Sequence, residues 1–219
     1  IRGHSGVQGG AEMGAYATVL PGGLALDDEN AARFTELWGF KVEATRGMTA
    51  PEMLDAAHAG NLDVLVSAGG NFREVLPDPA FVDEAMARIP LRVHIDIVLS
   101  GQMLTDPADT VVLLPAATRY EIPGGVTETS TERRVIFSPE IPGPRIGEAR
   151  PEWEIFIDLA RRVRPDLADL VGFDGTPDIR ADIARSIPTY DGIQHLRSFG
   201  DQFQYGGPHL AFGWTFPTP

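Results

Sequence analysis

Short apolar runs alternate with helical patterns along most of this chain, and this alternation limits its fold more than any other feature. Runs at residues 62–66, 91–97 and 111–114 are short, apolar and bounded by turn residues, which predicts buried strands. Strand–helix alternation favours a parallel sheet that helices cover on both faces. We therefore expect an α/β fold with a parallel, Rossmann-like sheet. After about Val171 the periodicity is weak, which predicts an irregular C-terminal segment that wraps a neighbouring domain.

Local end signals support the predicted helices. Thr49 and Glu52 have the spacing of a capping box, in which each side chain satisfies a backbone N–H at the helix start. Asp78 before Pro79 is typical of an N-cap followed by the first helical position. Gly39 is typical of a helix end. Together with apolar periodicity, these signals predict helices at residues 27–38, 50–60, 79–88 and 151–163.

Charge and composition exclude several classes of function. A formal net charge of −13 over 219 residues argues against nucleic acid, because a phosphate-binding surface needs positive charge. No apolar run approaches the ~20 residues that span a bilayer, and the first residues lack a signal-peptide pattern. We therefore expect no membrane insertion and a cytoplasmic location. The absence of cysteine excludes disulfides, thiolate zinc sites and iron–sulfur ligation by this chain.

Glycine is dense in the first fourteen residues, which read IRGHSGVQGGAEMG. Glycine lets backbone approach a ligand closely. Arg2, His4 and Gln8 lie between the glycines and add a fixed charge and hydrogen-bonding groups. This composition is typical of an anion or cofactor cradle. A flexible glycine-rich end without a binding role is equally compatible with it.

Polar loops follow the predicted strands, at residues 68–73, 96–102 and 115–121. Ligands of parallel sheets bind beyond the carboxyl ends of the strands, so these loops form a candidate ligand edge. Each loop also has a purely structural interpretation. The first can be a tight glycine turn, the aspartate that opens the second can be a cap, and the third can be a solvated loop.

The glycine-rich segment also resembles a known family. Its pattern Arg-Gly-x-x-x-Val-Gln-Gly-x-x-x-Met-Gly is similar to a stretch of the molybdopterin oxidoreductases of the DMSO reductase superfamily, and most similar to the formate dehydrogenase alpha-subunit branch. The resemblance continues through Gly69-Gly70-Asn71, Asp96 and residues 109–115, 127–133 and 216–219. It covers nearly the whole chain but only a central part of such a large subunit, so we expect a fragment of a longer polypeptide.

The resemblance implies an oxidoreductase that binds part of a bis-molybdopterin guanine dinucleotide carrying Mo or W, with formate as a candidate substrate. Any iron–sulfur cluster and the metal ligand would lie in a missing part, and no metal ligand is expected in this chain. The family arginine at Arg2 would orient an anionic substrate electrostatically. His4 stands where formate dehydrogenases often have glutamine, and both residues are the candidates for catalysis. The resemblance assigns cofactor binding to Gly3, Gln8, Gly9, Gly69, Gly70, Asn71, Asp96, Ser100, Asp109, Thr118 and Glu121.

The hydroxyl-rich run at residues 124–134 has two interpretations. Such runs are usually exposed loops, whereas in the family a related pattern forms a long loop near the cofactor. Val126 and Ser130 depart from that family pattern.

These inferences predict three segments: a glycine-rich cofactor and active-site segment at 1–26, an α/β cofactor-binding domain at 27–165, and an irregular segment at 166–219 that leads to a missing C-terminal domain. The expected partners are the rest of the same polypeptide, a small-molecule substrate and an unidentified electron-acceptor protein. The chain alone is expected to be inactive. A non-catalytic nucleotide- or ligand-binding α/β module and an acidic interaction domain remain as alternatives.

Overall fold

The computed structural model describes residues 6–205. Its helices are α1 Val7–Glu12, α2 Asp28–Trp38, α3 Ala50–His58, α4 Phe72–Val75, α5 Pro79–Met86, α6 Glu152–Val163 and α7 Thr176–Ser186. Its strands are β1 Val19–Leu20, β2 Leu24–Ala25, β3 Val64–Ala68, β4 Leu91–Asp96, β5 Thr110–Pro115, β6 Val126–Thr129, β7 Arg134–Ser138 and β8 Gln202–Gln204.

The described chain forms two compact units. The parallel-sheet unit comprises Met48–Thr118 and Pro144–Ala160. The antiparallel-sheet unit comprises residues 6–47, Arg119–Gly143 and residues 161–205. These two units are defined by contacts within the folded chain. The three segments predicted from the sequence were defined by function, so the division into three segments stays a prediction.

The parallel-sheet unit is built around β4, which lies between β3 and β5 and runs parallel to both. Ser67 pairs with His94, and His94 pairs with Leu113, so these three side chains share one face of the sheet, called here the His94 face. Val93 and Ile95 point to the opposite face because side chains alternate along a strand. The carboxyl ends of all three strands meet at one edge.

Helices cover both faces of this sheet. On the His94 face, α3 and α5 bury a core that includes Leu65 of β3 and Met86 of α5. On the opposite face, Ile155 of α6 packs against Val93. Fully burying side chains of this size contributes about 1.5–3 kcal/mol each. The predicted α/β class and its parallel sheet with helices on both faces are therefore confirmed.

The antiparallel-sheet unit has its own core. β7 pairs with both β6 and β8, and all these pairs are antiparallel. Val135 and Phe137 of β7 pack against Ile187 and Ile193, which follow α7, and against Tyr205. This core holds the segment after α7 against the sheet.

The sequence did not predict two of these elements. The hydroxyl-rich run is not an exposed loop but contains β6 and the start of β7, and Thr129 is only 3% exposed. Helix α7 lies in the segment predicted as irregular. It buries Thr176, Arg180 and Ser186. Polar residues on the inward face remove the apolar periodicity by which a helix is recognised.

The N-cap of α2 allows one of the predicted helix-end signals to be tested. The Asp27 carboxylate accepts a hydrogen bond from the Asn30 N–H at 2.8 Å, and the helix ends at Gly39 with φ of 76°. Asp27→Ala is expected to lower the free energy of unfolding by about 1 kcal/mol, because the N–H loses its acceptor. Chemical denaturation measures this change. Glu36→Ala, an exposed change within the same helix, should shift it by less than about 0.5 kcal/mol; an equal effect of the two variants would contradict the capping role.

Candidate functional site

Gln102 brings two predicted loops together at the carboxyl end of the parallel sheet. Its side chain is fully buried. The amide oxygen accepts from the Phe72 N–H at 2.8 Å, and the amide nitrogen donates to the Gly70 carbonyl at 3.1 Å and to the Ser67 hydroxyl at 3.2 Å. One side chain therefore ties the glycine turn after β3 to the sheet and to its own loop.

The glycine turn after β3 needs glycine for its backbone conformation. Gly69 and Gly70 have φ of 67° and 74°, in the left-handed region that side chains with a Cβ rarely adopt. The Gly69 N–H donates to the Ile95 carbonyl at 2.8 Å, which closes the turn onto β4. A Cβ at either glycine would meet open space, so the backbone here is accessible to a ligand.

Two polar side chains at this edge have buried atoms without partners among residues 6–205. They are the Asn71 Oδ1 at the start of α4 and the Ser100 hydroxyl, which precedes the 3₁₀ helix Gly101–Leu104. An unpaired buried polar group costs about 1–3 kcal/mol. Unpaired buried polar atoms at the edge where parallel sheets bind ligands therefore indicate a ligand-binding site.

Asp96 lies at the same edge of the sheet, at the end of β4. One carboxylate oxygen accepts from the Ile97 N–H at 2.7 Å, which fixes the side chain at the strand end. The structure thus brings together the predicted residues Gly69, Gly70, Asn71, Asp96 and Ser100 at one edge.

A cavity of about 180 Å³ opens beside this edge on the His94 face. Its walls are largely apolar, and Asp96 and His94 are its polar side chains. His94 is 1% exposed, and neither ring nitrogen has a partner among the described residues. Burial lowers the pKa of His94, the nearby Arg92 charge lowers it further, and Asp96 partly offsets both. The imidazole is therefore neutral at pH 7, with one donor and one acceptor.

Arg92 lies on the same face and is fully buried. Its guanidinium donates to the Gln102 carbonyl at 3.0 Å and to the Thr105 carbonyl at 2.5 Å. Burial lowers the pKa of this guanidinium. The bonds hold the loop that carries Ser100 and Gln102 over the sheet.

Of the three other predicted residues, one lies at the opposite end of the sheet and two lie in the segment after β5. Asp109 precedes β5 and so lies at the amino end of the sheet, where the Thr110 N–H donates to the Pro90 carbonyl. Thr118 follows β5 at the end of its unit, and Glu121 lies in the antiparallel-sheet unit. The roles assigned to these three stay predictions.

The glycine-rich segment lies in the antiparallel-sheet unit, and its predicted residues Arg2, Gly3 and His4 fall outside the described part. Gln8 lies in α1 and donates to the Glu12 carboxylate at 2.5 Å. Gly9 packs against β6 so closely that a Cβ would lie 3.1 Å from the Thr129 hydroxyl oxygen. The Gly6 N–H also donates to the Thr129 carbonyl at 3.2 Å. The hydroxyl-rich strand therefore lies directly beside the glycines.

The half-buried Glu12 is the centre of a hydrogen-bond network in this unit. It accepts from the hydroxyl of Tyr190 at 2.6 Å and from the hydroxyl of Tyr205. The Tyr190 hydroxyl also lies 2.9 Å from the Thr129 hydroxyl. Burial first, and then the Glu12 carboxylate, raise the pKa of both phenols, so both remain protonated donors. This network fixes α1 to the hairpin and to the segment after α7.

The sequence analysis assigned no site role to Gln102, Arg92, His94 or Glu12. A signal for Arg92 and His94 was present in the sequence, because both are polar residues in the otherwise apolar strand LRVHID. Side chains alternate along a strand, so these two residues share one face. No such signal exists for Gln102, which lies in a short 3₁₀ turn, or for the pairing of Glu12 with distant tyrosines.

None of the helices described in residues 6–205 has the length and apolarity that a membrane crossing requires. No family model matches the chain. Curated relatives do match it: a putative formate dehydrogenase of Staphylococcus haemolyticus is 30% identical over 202 residues, and a probable oxidoreductase of Bacillus subtilis is 30% identical over 206 residues. The F420-dependent formate dehydrogenase subunit alpha of Methanocaldococcus jannaschii is 33% identical over 198 residues.

The alignments cover about 90% of this chain but only part of each relative. The chain spans 19% of the first two relatives and 28% of the third. The resemblance predicted from the sequence is confirmed by these matches. The chain is therefore homologous to a segment of oxidoreductases named formate dehydrogenase.

Proposed function

We propose that this chain forms part of a molybdopterin-dependent oxidoreductase of the formate dehydrogenase type and holds part of a bis-molybdopterin guanine dinucleotide at the carboxyl end of its parallel sheet. The proposal rests on two buried polar atoms that have no partner among residues 6–205, Asn71 Oδ1 and Ser100 Oγ. Both lie at the edge where such sheets bind nucleotides. The names of the relatives supply the reaction class.

The residues present fit a dinucleotide. Ser100 offers a hydroxyl that can donate or accept, Asp96 offers a carboxylate oxygen to a ribose hydroxyl or a ring N–H, and Gly69 and Gly70 permit close backbone approach. When bound, the cofactor supplies two-electron redox chemistry through Mo or W. The chain supplies binding and orientation.

We also propose roles for the two predicted catalytic residues. Arg2 would orient a carboxylate substrate such as formate and offset its charge, because a guanidinium pairs with both oxygens of a carboxylate. His4 would line the same site. The rest of a longer polypeptide would complete the enzyme, with Mo or W bound there and any iron–sulfur cluster in that part.

The first test is the composition of the native protein. We expect about one Mo or W per polypeptide by elemental analysis, and guanine nucleotide in the acid-released cofactor by chromatography. Guanine nucleotide without either metal would instead support a non-catalytic nucleotide-binding module. Absence of both would contradict the proposal.

Ser100→Ala separates cofactor binding from folding. The Ser100 hydroxyl has no partner among residues 6–205 to lose, so the free energy of unfolding without cofactor should change by less than about 0.5 kcal/mol. The bound guanine dinucleotide per polypeptide should nevertheless fall, and chromatography of the acid-released cofactor measures it.

Ser67→Ala is the matched control. The Ser67 hydroxyl bonds to Gly69 and Gln102, so this variant should lose about 1–2 kcal/mol of stability. Full cofactor content in Ser100→Ala would exclude that hydroxyl from the binding site.

Activity of the isolated chain gives a further test. We expect no dye-linked formate oxidation by the 219-residue chain, because it has no cysteine and because Mo or W is proposed to lie in the longer polypeptide. Turnover by the purified chain would refute its proposed role as a partial, cofactor-holding segment.

A further inference from the structure

One apolar part of the parallel sheet has no cover among the described residues. Val64 and Val66 of β3 share the sheet face of Val93, because Val66 and Val93 pair in register. The two β3 valines are 48% and 44% exposed, whereas Val93 is 8% exposed. Helix α6 covers this face through Ile155, whose core contains residues of β4 and β5 but none of β3. Parallel sheets are normally covered on both faces, so the exposed valines indicate a missing neighbour.

The outer edge of β3 is also open. Gly69 follows this strand and donates its N–H to the Ile95 carbonyl at 2.8 Å, so its backbone faces β4. Successive residues of a strand direct their backbone groups to opposite edges, so the N–H groups of Val64, Val66 and Ala68 point away from β4. These three N–H groups have no hydrogen-bond partner within residues 6–205. The strand also lacks proline and lysine, which commonly block pairing at an exposed edge.

Chain length and strand direction indicate what covers this edge. The chain spans only 19% and 28% of two of its relatives, so most of each relative lies outside the matched segment. Strands β3, β4 and β5 all run in the same direction. Neighbouring parallel strands are joined by a crossover connection, which is usually a helix. A further strand with its helix therefore supplies carbonyls for the open N–H groups and a cover for the valines.

We propose that the sheet continues beyond β3 with a parallel strand that another segment of the same longer polypeptide supplies, and that the helix joined to this strand packs on Val64 and Val66. The inference rests on the proposed function in that the chain is part of a longer oxidoreductase. It does not depend on the cofactor or on the reaction, because the open N–H groups and the exposed valines carry it.

The experiment compares amide hydrogen exchange in the 219-residue chain and in the native polypeptide, resolved to single residues by fragmentation mass spectrometry. In the 219-residue chain, the N–H groups of Val64, Val66 and Ala68 should exchange at least about tenfold faster than those of Leu65 and Ser67, which face β4. In the native polypeptide the difference should disappear, because the outward groups are then also hydrogen-bonded.

Val66→Lys tests the cover over the sheet face. In the 219-residue chain it should shift the unfolding temperature by less than about 2 °C, because Val66 is half exposed there. In the native polypeptide it should restore fast exchange of the outward N–H groups, because the packed helix would bury an unpaired charge. Val66→Thr keeps a β-branched side chain of similar size and should retain slow exchange. Ile146→Lys, a change at a 70% exposed residue outside the sheet, is the control and should leave β3 exchange unaltered.

Fast exchange of the outward N–H groups in the native polypeptide would overturn the inference, as would a native polypeptide of only 219 residues. Slow exchange of those groups already in the 219-residue chain would also overturn it, and a rate that rises on dilution would identify a second copy at this edge. A cofactor-loaded protein with an open β3 edge would reject this inference alone. A protected β3 edge in a longer polypeptide without Mo, W or guanine nucleotide would reject the proposed function alone.

Discussion

Gln102→Leu is expected to lower the free energy of unfolding of this chain by about 3 kcal/mol. The change keeps the approximate volume of the side chain but removes three hydrogen bonds, to Phe72, Gly70 and Ser67. The Phe72 N–H and the Gly70 carbonyl then lose their partner, and each unpaired group costs about 1–3 kcal/mol where it is buried. Chemical denaturation measures the loss, and hydrogen exchange should show faster exchange of the Phe72 N–H.

Gln202→Leu is the matched control, because that glutamine is exposed on β8. It should change stability by less than about 0.5 kcal/mol. Gln102→Glu keeps the acceptor for Phe72 but removes both donors, so its cost should be at least that of the two lost donor bonds. A Gln102→Leu variant as stable as Gln202→Leu would show that the two loops do not depend on this side chain.

The sequence predicted those parts of the fold that local chemistry determines. The Asp27 cap, the capping box of Thr49 with Glu52, and the Asp78 N-cap each involve groups within three residues of one another, and each appears as expected. A tight glycine turn was one of the two interpretations of the loop after β3, and Gly69 and Gly70 do have positive φ there.

The sequence predicted site residues within individual loops, but not the contacts between the loops. Gly69, Gly70, Asn71, Asp96 and Ser100 were named because each follows a strand, and parallel strands end at one edge. The residue that joins the loops, Gln102, contacts groups about thirty residues away in sequence. No local pattern encodes such a contact, so only the folded chain shows it.

Polar residues at buried positions explain the remaining differences. Thr129 is buried because its hydroxyl meets Tyr190, which lies 61 residues later. Arg180 of α7 is buried, and its guanidinium donates to the carbonyl of Gly124, 56 residues earlier. Where polar groups are satisfied by distant partners, hydrophobic periodicity fails, and a strand or helix is interpreted as a loop.

Glu12→Leu is expected to lower the free energy of unfolding by about 3–4 kcal/mol. The Glu12 carboxylate is the acceptor for both Tyr190 and Tyr205, whose raised pKa values keep them as protonated donors. Leucine leaves two buried hydroxyls with one acceptor fewer, at about 1–3 kcal/mol each. It also removes one partner of Gln8, so α1 should be held less firmly beside Thr129.

A double-mutant cycle distinguishes this network from general packing. Tyr205→Phe alone removes one donor, and in the Glu12→Leu background the same change should cost little, because its acceptor is already absent. The coupling free energy between the two positions should therefore be about 1–2 kcal/mol. Glu29→Leu, an exposed glutamate on α2 outside the network, provides the control pair with Tyr205→Phe and should show no coupling. Additive costs for Glu12 and Tyr205 would mean that the carboxylate does not hold the glycine-rich segment through the tyrosines.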